Sequence, residues 1–348
     1  MLDSEGGRAV RAIQLSVAVL VAVVAFDAAA AQTGGSSLQT CLAAAADYSP
    51  VYATSAFPVT SPELVAVFRL GQGEHYRNLR AKWIAVDVGS VAPPNTLAGT
   101  GDLSLDRDTT AGVLRLELMK GFPPGKYRLD VSADGKPWKS VEFQVVQGPG
   151  GAGLASLGAL MPLAKGTAWT YAFVQEVGGI AKISKAPPGA TLGADGKLRA
   201  TVTATVAGTD AQGVHLNWTR GGVPFSDEWW RLTDRGLAAV KRTIGGESLA
   251  LDPPQVFFPW PVEMGRQWTY VSRDQTLQQS YRIWGPVPVK GPAGEAPGYV
   301  VLVKQEGPMA TTVEREYLPG VGMVRSLTIT GLGAEMVNRE ELVLRSVP

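Results

Sequence analysis

One ten-residue pattern occurs twice in this chain, 99 residues apart. "PLAKGTAWTY" occupies residues 162–171 and "PVEMGRQWTY" occupies residues 261–270, so that Pro, Gly, Trp, Thr and Tyr coincide. Each copy is followed by segments of strand character and ends on an aromatic strand, a turn containing glycine and another strand, at 228–242 and 314–329. The repeat predicts two β-meanders of similar design, each roughly 90–100 residues long, because repeats of this length are whole half-domains.

The aromatic residues of the repeat are spaced for one side of a strand. Trp169 and Tyr171 are two positions apart, as are Trp268 and Tyr270, and side chains at this spacing point the same way. The glycine of each copy is expected to make the turn before the strand. These four aromatics are predicted to be core anchors, each burying a large area. The alternative is that they line a ligand pocket.

The rest of the chain also favours strands. Long helical periodicity is missing, whereas many short segments alternate apolar with polar residues, as half-buried antiparallel strands require. In the first half these segments lie at 63–70, 82–88, 113–119, 126–133 and 140–146. Asp134-Gly135 between the last two predicts a tight hairpin, since both residues tolerate positive φ. The sequence therefore predicts an all-β fold.

Residues 122–146, "FPPGKYRLDVSADGKPWKSVEFQVV", resemble the closing hairpin of immunoglobulin-like domains in secreted bacterial proteins. The Pro-Gly turn, the Gly-x-Tyr start of the strand, the Asp-Gly hairpin and the final Phe-x-Val strand carry the resemblance. It implies a β-sandwich of about seven strands. Tyr127, Leu129 and Val131 are expected to share one face. The antibody-type pair of cysteines is absent, because Cys41 is the single cysteine.

The N-terminus indicates export. Arg8 and Arg11 precede an apolar run over 15–26, and small residues follow it. This pattern predicts a secretory signal peptide over 1–31 with cleavage after Ala31, and it is too short to favour an uncleaved anchor. No later stretch approaches the length of a membrane span, so the mature chain is expected to carry none. The expected location is the periplasm, the outer cell envelope or the medium.

Composition divides the mature chain into four segments. Residues 32–48 are small and polar and are predicted to be a flexible leader, in which Cys41 would be a free thiol that cannot pair within the chain. An immunoglobulin-like unit is expected over 49–146, and a Gly-rich linker over 147–161. The duplicated antiparallel domain is expected over 162–348.

The second domain resembles a group of secreted or outer-envelope bacterial proteins, most of them uncharacterised. The matching segments are the repeat motif, 287–304 "VPVKGPAGEAPGYVVLVK" and 317–324 "YLPGVGMV". The resemblance brings no activity and implies a strongly curved, half-barrel-like antiparallel sheet. A more distant likeness is to lipoprotein carriers of the LolA/LolB type, in which a half-barrel holds acyl chains. It is a likeness of architecture, from which function does not follow.

Several kinds of chemistry lack the residues they need. The net charge of +1 without a basic run disfavours nucleic acid. His75 and His215 are too far apart in sequence, and without a cysteine cluster they predict no metal site. No nucleophile elbow or phosphate-binding glycine loop occurs, so no catalytic residue or cofactor is predicted.

Two pairs of carboxylates leave an enzymatic alternative open. Asp227 and Glu228 precede two tryptophans, and Glu314 and Glu316 share a strand face beside Tyr317. Carboxylates near aromatic residues occur in sugar-cleaving sites. The favoured interpretation is a solvated sheet face with cross-strand ion pairs. The expected partners are Arg231, Arg315 and Lys241.

Adjacent tryptophans give the best candidate site. Trp229 and Trp230 must point to opposite faces of their strand, so Trp230 is predicted to share the core with Leu232, and Trp229 to lie with Arg231 on the other face. That face is either covered by another part of the chain or lines a groove. The predicted ligand-binding residues are Trp229, Arg231, Trp260 and Tyr317.

The predicted function is that of an exported, non-enzymatic envelope protein. It would bind an apolar or lipid-like ligand in the second domain, or scaffold an envelope partner. The alternative is recognition of carbohydrate or a cell surface by the aromatic face, and a hydrolase is the least favoured. An apolar ligand predicts a deep cavity, a sugar predicts an exposed aromatic platform, and pure scaffolding predicts tryptophans buried at the domain junction.

Overall fold

The computed structural model confirms the all-β prediction. It describes residues 35–45, 47–59, 61, 63–118, 121–146, 156–179, 182–332 and 335–346. This part of the chain holds 22 strands, two single-turn 3-10 helices and no α-helix. The predicted signal peptide and residues 147–155 of the predicted linker lie outside the described residues.

Nine strands of the first unit form two sheets. One sheet has the order β2-β1-β4-β7, and the other has the order β3-β9-β8-β5-β6. Only the pairing of β3 with β9 is parallel among the pairs of these two sheets. The strands are β1 Ser37–Ala44, β2 Pro50–Ala53, β3 Ala56–Pro58, β4 Glu63–Arg69, β5 Asn78–Asp87, β6 Thr96–Ser104, β7 Ala111–Glu117, β8 Gly125–Ala133 and β9 Lys136–Val146.

The two sheets face each other across an aromatic core. Phe143 lies at its centre, with ring centroids 5.4 Å from Phe57, 5.8 Å from Trp83 and 5.6 Å from Tyr127. Alternate residues of β8 are buried, beginning at Tyr127, which confirms the expected inward face. Asp134 and Gly135 both have positive φ at the β8–β9 turn, as the hairpin prediction requires.

The segment predicted to be a flexible leader contains β1. Residues Ser37–Ala44 pair with both β2 and β4, and Cys41 is completely buried. Burial raises the pKa of the Cys41 thiol to about 12. The prediction was wrong here because small side chains suggest a leader in isolation, whereas they allow a strand to pack closely between neighbours. Val65 and Val67 of β4 pack beside Cys41.

The second unit is one 13-stranded, nearly closed antiparallel sheet. Its order is β16-β15-β14-β13-β12-β10-β22-β21-β20-β19-β18-β17, with β11 paired to β12. The strands are β10 Ala168–Val177, β11 Thr191–Leu192, β12 Leu198–Asp210, β13 Gly213–Arg220, β14 Val223–Thr233, β15 Gly236–Ile244, β16 Glu247–Pro259, β17 Gln267–Val271, β18 Gln278–Gly291, β19 Gly294–Gln305, β20 Ala310–Leu318, β21 Gly322–Leu332 and β22 Glu335–Ser346.

The sheet confirms the predicted duplication. β10 and β12–β16 form one meander, β17–β22 form the other, and β10 joins β22 between them. The start of each meander is built alike. Gly166 donates its N–H to Val206 O at 2.8 Å, and Gly265 donates to Ile283 O at 2.9 Å. Both glycines have positive φ, +88° and +76°, which favours glycine at these turns.

The two ends of the sheet approach each other. Trp268 on β17 donates its Nε1–H to Val256 O on β16 at 2.8 Å, and the N–H of Arg273 bonds to Asp252 O at 3.0 Å. The chain before β10 packs against the β20–β21 turn, where Ala159 O accepts from Gly320 N at 2.8 Å and Met161 is buried. The predicted linker therefore ends in packed structure from residue 156, because its leucines and Met161 have apolar surface to cover.

The first unit packs on the outer face of the 13-stranded sheet. Tyr52 on β2 donates its N–H to Glu314 Oε2 at 2.5 Å and its hydroxyl to Pro288 O. Glu63 on β4 is ion-paired with Arg115 in its own unit at 3.0 Å and with Arg282 on β18 at 3.3 Å. The two units are thus joined by hydrogen bonds and a bridging carboxylate.

Candidate functional site

A cavity of about 730 Å³ lies inside the 13-stranded sheet. Its wall comes mainly from the first meander, with β20–β22 of the second meander closing the other side. Cavities of roughly 300–1,000 Å³ are the usual size for small-molecule sites in proteins. This cavity is therefore the candidate site of the described part of the chain.

Aromatic side chains form a large part of the cavity wall. Trp169 and Tyr171 of the repeat motif contribute to it, and they are 1% and 2% exposed. Trp169 and Tyr171 are therefore core anchors, as predicted, and they also line a cavity. Trp268 and Tyr270 of the second copy do not line it. The larger apolar side chains of the wall are Phe173, Trp218, Phe225, Trp230, Phe257 and Tyr317.

One half-buried ion pair lies in the wall. Glu228 on β14 accepts from Arg242 Nε on β15 at 2.6 Å and from Trp230 Nε1 at 2.9 Å. Burial acts to raise the pKa of Glu228, but the charge of Arg242 and these hydrogen bonds outweigh it and hold the pKa below its ordinary value. The pair is thus a satisfied charge, because an unpaired carboxylate would be costly at this depth.

One end of the cavity lies where β10, β13 and β15 end and β12 and β14 begin, and we name it the mouth because most of its lining side chains are at least partly exposed, whereas Met161, Trp169 and Tyr317 are buried. Residues 182–190, named here the mouth loop, cross this end of the sheet, and 182–188 contribute to the wall. Gly189 of the loop lies so close to β13 that a Cβ there would be 1.7 Å from Arg220 O. The loop is therefore seated on the end of β13 by backbone contact.

The four predicted site residues lie in different places. Tyr317 lines the cavity, is 2% exposed and packs edge-on to Phe258 at 5.1 Å. Trp229 and Arg231 lie on the outer face of β14, and Trp260 lies half-buried at the end of β16. The structure therefore brings only Tyr317 to the cavity, and the deep cavity expected behind Trp229 lies behind Trp230.

Trp229 is covered on the outer face. Its ring stacks on His215 of β13 at 4.3 Å, and Lys241 Nζ of β15 lies 4.2 Å from the ring centroid. Its Nε1–H bonds to Asp210 Oδ2 at 3.0 Å. Since His215 and Lys241 flank Trp229 from opposite neighbouring strands, both faces of the ring are in contact.

Leu232 was predicted to share the core with Trp230, but it does not. It is 50% exposed, whereas Trp230 is 8% exposed. The pairing of β14 with β15 shifts by one residue between Trp229 and Trp230, and Leu232 lies near the end of β14. Leu232 lies beyond the part of β14 that lines the cavity, so its inward position is not covered.

The prediction of a solvated face was wrong for Glu314 and Glu316. Both are buried, at 1% and 6% exposure, because the first unit covers β20. Their partner is Arg325 on β21, at 2.5 and 2.8 Å, rather than Arg315, which lines the cavity. Asp227 accepts from His215 Nε2 at 2.7 Å on the outer face. The Glu314–Glu316 pair thus lies under the first unit, whereas Asp227 and Glu228 point to opposite faces of β14.

A second, polar cleft of about 420 Å³ lies between the two units. Its charged groups are already paired, Lys197 with Glu176 at 2.6 Å and Arg339 with Glu341 at 3.6 Å. Arg69 bonds to Ser49 Oγ at 3.3 Å. We interpret this cleft as a packing seam, because its polar groups satisfy one another.

Sequence reasoning missed the residues of β13 as site candidates. Trp218 and Arg220 lie two positions apart on this strand and both line the cavity. The available signal was alternation, because Leu216 and Trp218 share one side of a strand. It extends to Arg220, an arginine in an inward position, and such a residue is a site candidate.

No group of three or more His, Cys, Asp or Glu side chains within the described residues is placed to hold a metal ion. No helix within them is long and apolar enough to cross a membrane.

Comparison with known proteins gives distant structural likeness. No family model matches the chain, and no curated protein matches it. A candidate lipoprotein from Parabacteroides distasonis ATCC 8503 matches with 12% identity and a TM-score of 0.28. A candidate exported protein with a YmcC-like fold from Bacteroides fragilis NCTC 9343 matches with 15% identity and a TM-score of 0.28. Each match covers 54% of this chain and 98% of the other. Similarity at this level defines neither the fold nor the function of this chain.

Proposed function

We propose that this chain is an exported, non-enzymatic envelope protein that holds an apolar ligand inside its 13-stranded sheet. The observation that carries the proposal is the aromatic cavity of about 730 Å³. An apolar occupant gains dispersion contacts with Trp218, Trp230 and Phe257, and it removes their apolar surface from water. The location rests on the predicted signal peptide.

Carbohydrate recognition at Trp229 has less support. A sugar needs a free aromatic face, whereas His215 and Lys241 contact the Trp229 ring from both sides. The scaffolding alternative expects tryptophans at the junction of the two units. Trp218 and Trp230 instead line the cavity.

We further infer that the first unit is immunoglobulin-like. Strands β1-β4-β7 and β9-β8-β5 correspond in order to the two sheets of that sandwich, and Trp83 on β5 is buried in the core. Tyr127 donates its hydroxyl to Pro123 O at 2.8 Å, the hydrogen bond of a tyrosine corner. We propose that this unit has a structural role, because it packs against the sheet that holds the ligand.

The test is native mass spectrometry of the mature chain purified from its host envelope, with organic extraction of what co-purifies. Ser226 lines the cavity, so Ser226→Phe would fill it, and Trp229→Ala on the outer face is the matched control. We expect an apolar bound mass in the wild type and in Trp229→Ala, and its loss in Ser226→Phe. An apo mass in the wild type at several protein concentrations, or loss in the control alone, would contradict the proposal.

A further inference from the structure

Two hydrogen-bond donors on the cavity wall have no partner in the described part of the chain. Trp218 Nε1 and Arg220 Nε are both buried and unbonded. The two residues lie at alternate positions of β13, so both side chains point into the same cavity. A buried donor without a partner destabilises the fold, and an acceptor bound at the same place removes that cost.

Arg220 is also a charge without an ion-pair partner. Its guanidinium lies over the Phe225 ring at 4.7 Å and near Phe173 at 6.0 Å, which holds the side chain in place. Within the described residues it forms neither a salt bridge nor a hydrogen bond through its side chain. Burial lowers the pKa of Arg220, although the attraction of Glu340 opposes this. By contrast, Arg242 in the same wall is fully paired with Glu228.

The mouth of the cavity has an excess of cations. Lys182 and Lys185 of the mouth loop line this end of the cavity together with Arg220. Glu340 is the acidic side chain of the wall outside the Glu228–Arg242 pair, and burial raises its pKa while the attraction of Arg220 opposes the rise. An anion at this end of the cavity would therefore meet a favourable field.

The strand directions place Arg220 and the larger aromatic residues of the wall at different depths. β13 runs from Trp218 to Arg220 toward the mouth, and β14 runs from Phe225 at the mouth to Trp230 inside. Phe257, Tyr317 and Trp230 therefore lie deeper than Arg220. A molecule that fits both ends has an anionic head and an apolar body.

We propose that the cavity binds an amphiphile with an oxyanion head group, which accepts hydrogen bonds from Trp218 Nε1 and Arg220 while its apolar chain lies against Trp230 and Phe257. This inference rests on the proposed function and names the class of its ligand. A charge-assisted bond to a planar guanidinium is stronger than a neutral one. An alcohol of the same chain length would leave the Arg220 charge uncompensated.

The test compares lauric acid with dodecanol by titration calorimetry at about pH 8, where the acid is ionised. We expect the acid to bind about tenfold more tightly or better, the factor given by one charge-assisted hydrogen bond. Arg220→Gln should abolish this preference. Arg231→Gln, which removes an arginine from the outer face of the same sheet, should retain it.

Two further variants guard against misfolding. Trp218→Phe keeps the ring and removes one donor, so it should reduce the preference severalfold. Arg220→Lys keeps the charge and should retain part of the preference. Preference for the acid that survives unchanged in both Arg220→Gln and Trp218→Phe would overturn the assignment of these donors.

The outcomes separate the two proposals. If neither probe binds, the proposed apolar function is wrong. If both bind equally, that function stands and the head-group inference is wrong. A titration with inorganic phosphate alone tests whether the site binds a free anion instead of a head group. Phosphate binding as tight as that of lauric acid would overturn the proposal that the ligand is an amphiphile. Weak or undetectable phosphate binding beside tight lauric acid binding supports it.

Discussion

At the scale of single residues, burial by the first unit changes the pKa of a carboxyl group on the 13-stranded sheet. Glu314 lies on the outer face of β20, where Tyr52 of the first unit covers it. Three glutamates, Glu314, Glu316 and Glu341, share the guanidinium of Arg325. Burial raises the pKa of Glu314 to about 8, with Arg325 opposing the rise and Glu316 adding to it. The cluster therefore retains a proton near neutral pH.

The first prediction concerns the stability of the whole chain against pH. Because the folded pKa of Glu314 lies above the ordinary value of 4.5, the folded protein holds a proton that the unfolded chain has released between these values. This stabilisation is complete below the ordinary value and is lost as pH rises through about 8. We expect Glu314→Gln to flatten the decline of unfolding free energy over this range, measured by urea denaturation at several pH values.

Glu142→Gln is the matched control, because Glu142 is exposed on β9. This control should keep the wild-type decline. An equally steep decline in Glu314→Gln would show that other groups cause it.

At the scale of elements, the end of β13 organises the candidate site. This strand carries Trp218 and Arg220 into the cavity, and the mouth loop rests on its last residue. Gly189 has a φ of +78°, and Gly189 and Gly221 approach so closely that a Cβ on Gly221 would be 2.4 Å from Gly189 O. Side chains at either position would separate the loop from the strand.

We therefore predict that Gly189→Ala displaces the mouth loop. Gly196→Ala is the control, because Gly196 has a similar φ of +74° but open space around its would-be Cβ. The control should lose about 1–2 kcal/mol of stability, the cost of a left-handed residue. Gly189→Ala should lose more and also bind lauric acid more weakly, as measured by thermal unfolding and calorimetry. Equal losses in both variants would mean that the loop contact contributes nothing.

At the scale of the whole molecule, hydrogen bonds and an ion pair join the two units. Tyr52 and Glu63 of the first unit reach Pro288, Glu314 and Arg282 of the 13-stranded sheet. Units of one chain are expected to move relative to one another unless their interface is large and hydrophobic. The coupling of the two units therefore depends on identifiable hydrogen bonds.

The third prediction is that weakening this interface separates the unfolding of the two units. Tyr52→Phe combined with Arg282→Gln removes the hydroxyl bond and the Glu63 bridge, which costs about 1–3 kcal/mol. In differential scanning calorimetry we expect an earlier transition for the first unit in the double variant. Arg80→Gln with Arg273→Gln, at exposed pairs within each unit, should leave the profile unchanged. A wild-type profile in the interface variant would contradict the prediction.

The sequence by itself determined the all-β class, the strands β4, β5, β7, β8 and β9 and the duplication. These features are local, since alternation and turn residues need only neighbours along the chain. β1 was missed because its small residues become a strand only when β2 and β4 flank it.

The tertiary structure alone decided where the site lies. The sequence placed Trp229 and Trp230 on opposite faces, but only the curvature of the sheet and the pairing of β10 with β22 made the Trp230 face a cavity. Likewise, Arg220 is a site candidate because Phe225 and Phe173 hold its guanidinium and the mouth loop encloses it. Which face is enclosed depends on contacts between residues far apart in sequence, and no local pattern specifies them.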